Sequence, residues 1–217
     1  MNKLLLLITT ALLLQMLPAT VVNRAAAMGA ACPQATAVAA TALSEQPALP
    51  VASGSRCSSL RMQEIVKALH MAAHPEGGWF VEVYTAPQTY RSKAGVRPLA
   101  GSIYFLLNEK EVSRFHQLDC DEVWYYHEGC GMRIYFLEKD GSVKQALLGQ
   151  DLAQGQRPMV IIPTGKIFAA ENLDPGKYTL ISCVTTPKFK YQGWRLVGQA
   201  ELLKRSPQQQ ALIKHLT

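Results

Sequence analysis

A succession of short segments, each rich in β-branched and aromatic residues, is the feature that most constrains the fold of this chain. These segments recur about every ten residues between positions 79 and 197, and turns such as Asp140-Gly141 separate them. Because no helical period lies between them, the spacing favours an all-β sandwich or barrel. The predicted strands are residues 79–85, 102–107, 113–117, 122–128, 132–137, 143–148, 159–162, 167–170, 178–185 and 194–197.

Helical periodicity is confined to the two flanks of this region. Apolar residues at Met62, Ile65, Val66 and Leu69 predict a short helix over residues 61–69, and residues 207–215 are expected to form a short terminal helix. The composition, 48% hydrophobic and 18% charged, is typical of a globular protein with a buried core. The sequence therefore predicts a barrel domain over residues 60–200 and a C-terminal tail over 201–217.

The N-terminal residues have the layout of a secretory signal. Lys3 precedes an apolar run over residues 4–17, and three alanines follow at 25–27. The run is shorter than the roughly 20 residues that cross a bilayer, which favours cleavage over anchoring. Residues 1–27 are thus predicted to be a signal peptide that directs the protein to the periplasm or outside the cell. An alternative is a lipoprotein anchored at Cys32.

Residues 28–59 are rich in Ala, Ser, Thr and Pro and are predicted to form a flexible, low-complexity spacer. The membrane is expected to be a partner only through the signal segment. The net charge of +6 arises from scattered basic residues, which argues against a nucleic-acid groove. Five cysteines without a CxxC pair exclude a thiolate metal cluster, and their disulfide pairing stays open.

The segment SRFHQLDCDEVWYYHEG, residues 113–129, carries the clearest chemical signal. Its His116, Glu122 and Gly129 stand at the spacing of the first cupin motif, although Leu118 replaces the second His. The second cupin motif is similar to the stretch that begins at Pro163, where Phe168 takes the place of the His. His116 and Glu122 are therefore the two residues that match metal-ligand positions of that superfamily.

A closer resemblance covers nearly the whole predicted barrel. The segments HPEGGWFVEVY, SIYFLL, SRFHQLDCDEVWYYHEG, IPTG and LISCVTTP follow one another in the order found in the cupin-superfamily family called "domain of unknown function 985". The resemblance implies a cupin-type double-stranded β-helix, a jelly-roll barrel, with a short helix at each end. It also implies a homodimer and a fold similar to sugar-nucleotide epimerases of the deoxysugar pathway.

A tightly bound metal cofactor is disfavoured, because a first-row divalent metal needs more converging donors than His116 and Glu122 supply. His127 does not complete the set, because strict alternation along the strand places Glu122, Trp124 and Tyr126 on one face and His127 on the other. A divalent metal is kept as the less favoured alternative.

The predicted catalytic residues are His116, Glu122 and Tyr126. A carboxylate beside an imidazole raises its basicity, so His116 with Glu122 is a candidate general base for a proton next to a carbonyl. Tyr126, or Tyr104, is the candidate acid. The alternative is that His116 and Glu122 satisfy each other structurally.

A second set of residues is predicted to bind the ligand. Turn residues hold His74 and Glu76 in fixed directions in HPEGG, so these two contact the ligand or, alternatively, lock the edge of the barrel. Aromatic residues line small-molecule pockets, and Trp124 is expected to do so unless it is ordinary core. The ligand-binding set comprises His74, Glu76, Glu82, Tyr104, Trp124 and Lys166, the last with a solvated surface lysine as its alternative.

Three functions follow from these residues. The first is an isomerase or epimerase that acts on a small sugar-like or keto compound with His116 as base. The second is a non-catalytic module that binds such a small molecule. The third, a metal-dependent cupin oxygenase, is disfavoured by Leu118 and Phe168. Export weakens the case for a nucleotide sugar, which is a cytoplasmic compound.

Overall fold

The computed structural model of the protein describes residues 54–92 and 95–217. The predicted signal peptide, Cys32 and residues 28–53 of the predicted spacer lie outside the described residues. Within the described ranges, no helix is both long and apolar enough to span a membrane. Cys120, Cys130 and Cys183 are free thiols.

The ten predicted strands are confirmed to within two residues at each end. Three short strands were not predicted: β1 (Ala72–Ala73), β3 (Thr89–Ser92) and β4 (Gly95–Pro98). In chain order the helices and strands are α1 (Gly54–Ala68), β1 (Ala72–Ala73), β2 (Trp79–Thr85), β3 (Thr89–Ser92), β4 (Gly95–Pro98), β5 (Gly101–Leu107), β6 (Val112–Leu118), β7 (Asp121–Gly129), β8 (Met132–Leu137), β9 (Val143–Leu148), β10 (Met159–Ile162), β11 (Ile167–Asn172), β12 (Thr179–Thr186), β13 (Trp194–Leu196), α2 (Gln199–Arg205) and α3 (Gln210–His215).

Two antiparallel sheets form the barrel. One has the strand order β1-β2-β5-β12-β7-β10 and the other β13-β6-β11-β8-β9, while β3 and β4 form a separate hairpin. Alternate residues of both sheets point inward and pack as one core, which includes Phe105, Trp124, Ile134, Phe168 and Ile181. The fold is the all-β, cupin-type jelly roll that the sequence predicted.

Helices cover part of the outer face of each sheet. α1 contributes Ile65 to a cluster with Leu106 and Tyr178 on the six-stranded sheet. Because α1 begins at Gly54, residues 54–59 are helical, and the prediction that the spacer extends to residue 59 is wrong.

The predicted tail over residues 201–217 contains the end of α2 and all of α3, which lies within the helix expected over residues 207–215. Leu202 of α2 and Ile213 of α3 are buried in one cluster with Phe115 and Ile167 of the five-stranded sheet. Apolar residues at helical spacing therefore attach this segment to the barrel, as an amphipathic face requires. The C-terminal segment is an integral cover of the second sheet.

The two ends of the barrel differ in how they are filled. At one end, which we call the filled end, Leu107, Met132 and Leu148 are completely buried. Asn172 holds this end together, since its Nδ2 donates hydrogen bonds to the carbonyl oxygens of Leu107, Asn108 and Lys177. The opposite end, which we call the pocket end, contains the candidate site.

Candidate functional site

The HPEGG turn docks against strand β6 and directs one carboxyl group inward. The backbone N–H of Gly77 donates to the carbonyl of His74 at 3.0 Å, and that of Arg114 donates to the carbonyl of Glu76 at 3.0 Å. Gly77 has φ +113°, and a Cβ there would collide with the carbonyl oxygen of Val112. The turn thus sits close to β6 because position 77 carries no side chain.

The side chain of Glu76 is the centre of a buried polar cluster. Ser113 donates its Oγ hydrogen to Glu76 Oε1 at 2.9 Å. Glu76 Oε2 lies 3.3 Å from His116 Nε2 and 3.5 Å from His74 Nδ1. The sequence predicted Glu122 as the carboxylate beside His116. That pairing is wrong, because the docked turn places Glu76 there.

The hydrogen bonds of His116 fix its tautomer. Its Nδ1 lies 2.6 Å from the carbonyl oxygen of Arg114, which can only accept, so Nδ1 carries a hydrogen. In the neutral imidazole, Nε2 is therefore the nitrogen with the free lone pair, and it faces Glu76 Oε2. This contact is favourable when one proton lies between the two groups.

His74 is held in a different state. The backbone N–H of Glu76 donates to His74 Nδ1 at 3.4 Å, so Nδ1 acts as an acceptor. Burial lowers the pKa of His74 below its ordinary value and outweighs the opposing charge of Glu76, while the charge of His116 lowers it further. His74 is thus a neutral imidazole at neutral pH, with its hydrogen on Nε2.

Glu122 is the second buried carboxyl group of the site. Burial raises its pKa to about 8, with a further contribution from the negative charge of Glu76, while Trp124 and Cys183 act in the opposite direction. Within the described part of the chain, Glu122 Oε2 has no hydrogen-bond partner. The group is therefore mainly protonated at neutral pH and available as a donor.

These side chains line one cavity of about 120 Å³ at the pocket end. His74, Glu76, His116 and Glu122 are four of its polar lining residues, and Glu82 and Lys188 also line it. Its walls are largely aromatic and include Phe80, Phe105, Trp124 and Trp194. An apolar wall with a few converging polar groups is the usual form of a small-molecule site.

An ion pair lies beside this cavity. Lys188 Nζ lies 2.6 Å from both Glu82 Oε1 and Thr85 Oγ1, and it holds the pKa of Glu82 below its ordinary value. Gly101 makes room for it, because a Cβ at that position would lie 2.7 Å from Lys188 Cγ. The lysine at this cavity is therefore Lys188, whereas the sequence predicted Lys166 there.

Six of the nine predicted site residues line the cavity: His74, Glu76, Glu82, His116, Glu122 and Trp124. The other three, Tyr104, Tyr126 and Lys166, were placed there wrongly. Lys166 lies outside the cavity, where its Nζ donates to Glu138 at 2.9 Å.

The two tyrosines miss the cavity for different reasons. Tyr104 lies on the outer face of β5, because side chains alternate along a strand and its neighbours Ile103 and Phe105 point inward. It packs against the cluster under α1. Tyr126 shares the inward face with Trp124 but lies too far along β7, and its hydroxyl donates to Gly129 at 2.7 Å. Neither can be the acid of this site.

Sequence reasoning missed the segment that follows β12. Lys188, Phe189, Tyr191 and Trp194 all line the cavity. Their segment lacks strand periodicity for most of its length, and its signal is the density of aromatic and basic residues in KFKYQGW. Such density in a loop is a better pointer to a binding surface than to a core.

The donor set does not fit a metal centre of the usual cupin type. Phe168 occupies the position of one histidine, with its ring 4.0 Å from that of His116, and Leu118 stands at another. Among residues 54–92 and 95–217, no three His, Cys, Asp or Glu side chains are grouped so as to hold a metal ion. No chemical step is therefore derived through a metal.

Comparisons with known proteins identify the family of the barrel region. A model of the family described as "Cupin superfamily (DUF985)" matches residues 63–197. The uncharacterized protein YML079W of Saccharomyces cerevisiae is 27% identical over 158 residues, which are 65% of this chain and 78% of the yeast protein.

Two solved structures are similar over most of the barrel. Protein SO0799 from Shewanella oneidensis is 35% identical, with a TM-score of 0.67, and the match covers 71% of this chain and 96% of that one. A hypothetical protein from Leishmania major is 29% identical, with a TM-score of 0.66, over 71% of this chain and 97% of that one.

Proposed function

The chain belongs to the DUF985 family of the cupin superfamily, and on that premise we propose that its barrel binds a small sugar-like or keto compound and moves one of its protons. The observation that carries this proposal is the Glu76–His116 pair, buried on the wall of the cavity opposite the unpaired acid Glu122. The reaction class is isomerisation or epimerisation.

The two buried acids support a division of roles. When no proton lies between His116 and Glu76, Nε2 of His116 can take a proton from the carbon next to a carbonyl, and Glu76 stabilises the imidazolium. Glu122, with a pKa of about 8, can donate its hydrogen to the carbonyl oxygen. A carboxylic acid that burial keeps protonated near neutral pH can act as a hydrogen donor of this kind. Glu122 thus replaces the tyrosine acid.

A proton-exchange experiment tests this reaction. The probe is 2-hydroxycyclohexanone in D₂O, and proton NMR follows deuterium entry next to the carbonyl. We expect the wild type to accelerate exchange over buffer and His116→Asn to lose about 100-fold or more of that acceleration. Lys166→Ala, outside the cavity, is the matched control and should exchange like the wild type. Equal rates for His116→Asn and the wild type would remove His116 as the base.

The alternative function is a non-catalytic module that holds the same kind of ligand. The near-complete burial of His116, at 1% exposure, favours it, because a ligand must enter deeply to reach the imidazole. Native mass spectrometry of the purified protein, repeated over hours, separates the two functions. A retained small molecule that stays unchanged supports binding alone, whereas its conversion supports catalysis.

We also propose that two copies pair as a homodimer through the edge of the six-stranded sheet. β10 is the last strand of that sheet, and its Met159 and Ile161 are exposed beside Tyr125 of β7. An apolar edge of this kind is a liability for a monomer, and two such edges can pair antiparallel about a twofold axis.

Light scattering of a charged variant tests the dimer. Ile161→Lys should convert a dimer into a monomer, while Val143→Lys on β9 should not. An unchanged molecular mass for Ile161→Lys would contradict pairing through this edge.

Export is the remaining part of the proposal. Lys3, the apolar run over residues 4–17 and the alanines at 25–27 support a cleaved signal peptide. Cell fractionation, with N-terminal sequencing of the mature chain, tests it. A mature chain that begins at a lipid-modified Cys32 would favour the lipoprotein alternative, and a full-length cytoplasmic chain would contradict export.

A further inference from the structure

Three buried polar atoms without a hydrogen-bond partner meet at the same cavity. They are Glu122 Oε2, Trp124 Nε1 and Trp194 Nε1, on strands β7 and β13 of the two opposing sheets. Trp124 lies close enough to Glu122 to lower the pKa of that carboxyl group, but neither atom has a partner at hydrogen-bond distance and angle. Buried polar side-chain atoms are normally paired, and each exception needs an explanation. Four other such atoms of the described residues lie away from this cavity, and a shared ligand that pairs with all three explains why these three meet here.

The chemistry of the three atoms restricts that ligand. An indole N–H can only donate a hydrogen bond. Glu122 also donates near neutral pH, because burial raises its pKa to about 8. The ligand must therefore offer acceptors, such as a carbonyl and a ring or hydroxyl oxygen, to three donors that come from two sides of the cavity.

The charges around the cavity further restrict the chemistry of the ligand. Both cationic candidates in the lining face a carboxyl group: Lys188 is 2.6 Å from Glu82, and His116 is 3.3 Å from Glu76. His74 is neutral because burial lowers its pKa. An entering carboxylate or phosphate would meet Glu76 without a spare cation among the described lining residues. An entering ammonium would meet three donors, and Glu76 is already engaged by Ser113 and His116. An isolated buried charge of either sign is strongly disfavoured.

The size and walls of the cavity set the scale of the ligand. Its volume of about 120 Å³ is close to that of a protein cavity of about 150 Å³ that takes up benzene. The aromatic side chains of Phe80, Phe105 and Trp124 offer flat apolar surfaces to one ring. A single six-membered ring fits this space.

We propose that the cavity selects an uncharged, ring-sized compound with hydrogen-bond acceptors, anchored by Trp124 Nε1, Trp194 Nε1 and Glu122. This inference rests on the proposed function, since both place the ligand in this cavity, but it adds the ligand's charge, size and polarity. It holds whether or not a proton is then moved.

The three tryptophans of the chain allow a direct test. In ¹⁵N-labelled full-length protein, each indole N–H gives its own NMR signal, and single Trp→Phe variants assign them. Cyclohexanone is the probe. We expect it to shift the Trp124 and Trp194 signals, whereas Trp79, which packs outside the cavity beside α1, stays in place and serves as the internal control.

Charge selectivity is tested on the same ring. Cyclohexanecarboxylate and cyclohexylammonium should bind at least about tenfold more weakly than cyclohexanone, which corresponds to about 1.4 kcal/mol. Trp194→Phe keeps the aromatic wall and removes one donor, so it should weaken cyclohexanone binding about fivefold. Trp79→Phe should leave it unchanged.

The outcomes of these experiments either support or overturn the inferred ligand class. Carboxylate binding as tight as that of cyclohexanone, unmoved Trp124 and Trp194 signals, or no binding of cyclohexanone at all would each overturn the inference. If cyclohexanone shifts the ring signals of His116 but neither indole, this inference fails and the proposed function stands. If both indoles shift while 2-hydroxycyclohexanone shows no His116-dependent exchange, the proposed proton transfer fails and this inference stands.

Discussion

The two ends of the barrel are built from the same strands but treat their polar groups in opposite ways. On β7, Tyr126 near the filled end donates its hydroxyl to Gly129, whereas Glu122 and Trp124 near the pocket end each keep a buried polar atom unpaired among the described residues. At the filled end, Asn172 Nδ2 serves three carbonyl groups, although its Oδ1 has no partner. The filled end uses its polar groups for stability.

At the pocket end, buried polar atoms without a partner lower the stability of the fold but stay available to a ligand. A buried polar group without a partner costs about 1–3 kcal/mol, and a buried acid resists ionisation. Such a cost is expected at sites that bind a ligand and is rarely tolerated in a core. Substitutions at the two ends should therefore have different consequences.

The largest effect is expected from Glu122, through the pH dependence of stability. Its pKa in the folded protein is about 8, above the ordinary 4.5, so the unfolded chain releases this proton first as the pH rises. Stability should fall between pH 4.5 and 8 and then level off, by up to roughly 5 kcal/mol. Glu122→Gln should lack this fall. Urea unfolding at pH 5 and pH 9 measures the difference.

Other titrating groups contribute equally to the stability of both proteins. The difference in the free energy of unfolding between the wild type and Glu122→Gln therefore reports on the Glu122 carboxyl group alone. Parallel stability curves from pH 5 to pH 9 would mean that Glu122 is not desolvated, and the contrast between the two ends would be lost.

A matched pair of leucines gives the next largest effect. Leu107, at the filled end, is fully buried in close packing, whereas Leu118 lines the cavity. Leu107→Ala should cost about 2–5 kcal/mol because a new void forms. Leu118→Ala should cost less, since it enlarges space that already exists. Urea unfolding at one pH compares them, and equal losses would show that the pocket end is packed like the filled end.

The smallest effect is expected from the ion pair beside the cavity. Lys188 pairs with Glu82, whose side chain is about half exposed, and Lys166 pairs with Glu138 on the outside of the barrel. Exposed ion pairs contribute about 0–1 kcal/mol. Lys188→Met and Lys166→Met should each lower stability by less than about 1 kcal/mol in urea unfolding. A loss of several kcal/mol for Lys188→Met alone would show that this pair holds the pocket end together.

The strands were predictable from local sequence, but the contacts between distant segments were not. The alternation in residues 102–107 predicted a strand, yet the choice of inward face was wrong for Tyr104, because nothing local reveals that α1 covers its side. The β3–β4 hairpin was missed because the segment TYRS of β3 is too short and too polar to stand out as a strand.

Part of the cavity lining could be predicted from the sequence, but the pairing of its side chains could not. His116 and Glu122 matched a family motif, and both line the cavity. The partner of His116 is nonetheless Glu76, forty positions away in the chain, since the docking of the HPEGG turn on β6 decides which carboxylate is near. Lys188 was missed for the same reason, because the path of a loop depends on the whole barrel.

The contrast between the two ends depends on Glu122, a buried acid that stays mainly protonated at neutral pH and whose Oε2 has no partner among the described residues. Carbon-13 NMR of protein labelled at the glutamate carboxyl carbon measures its protonation directly, with Glu122→Gln identifying the signal. We expect a titration midpoint near pH 8 for Glu122 in the ligand-free protein. A midpoint near the ordinary 4.5 would contradict it.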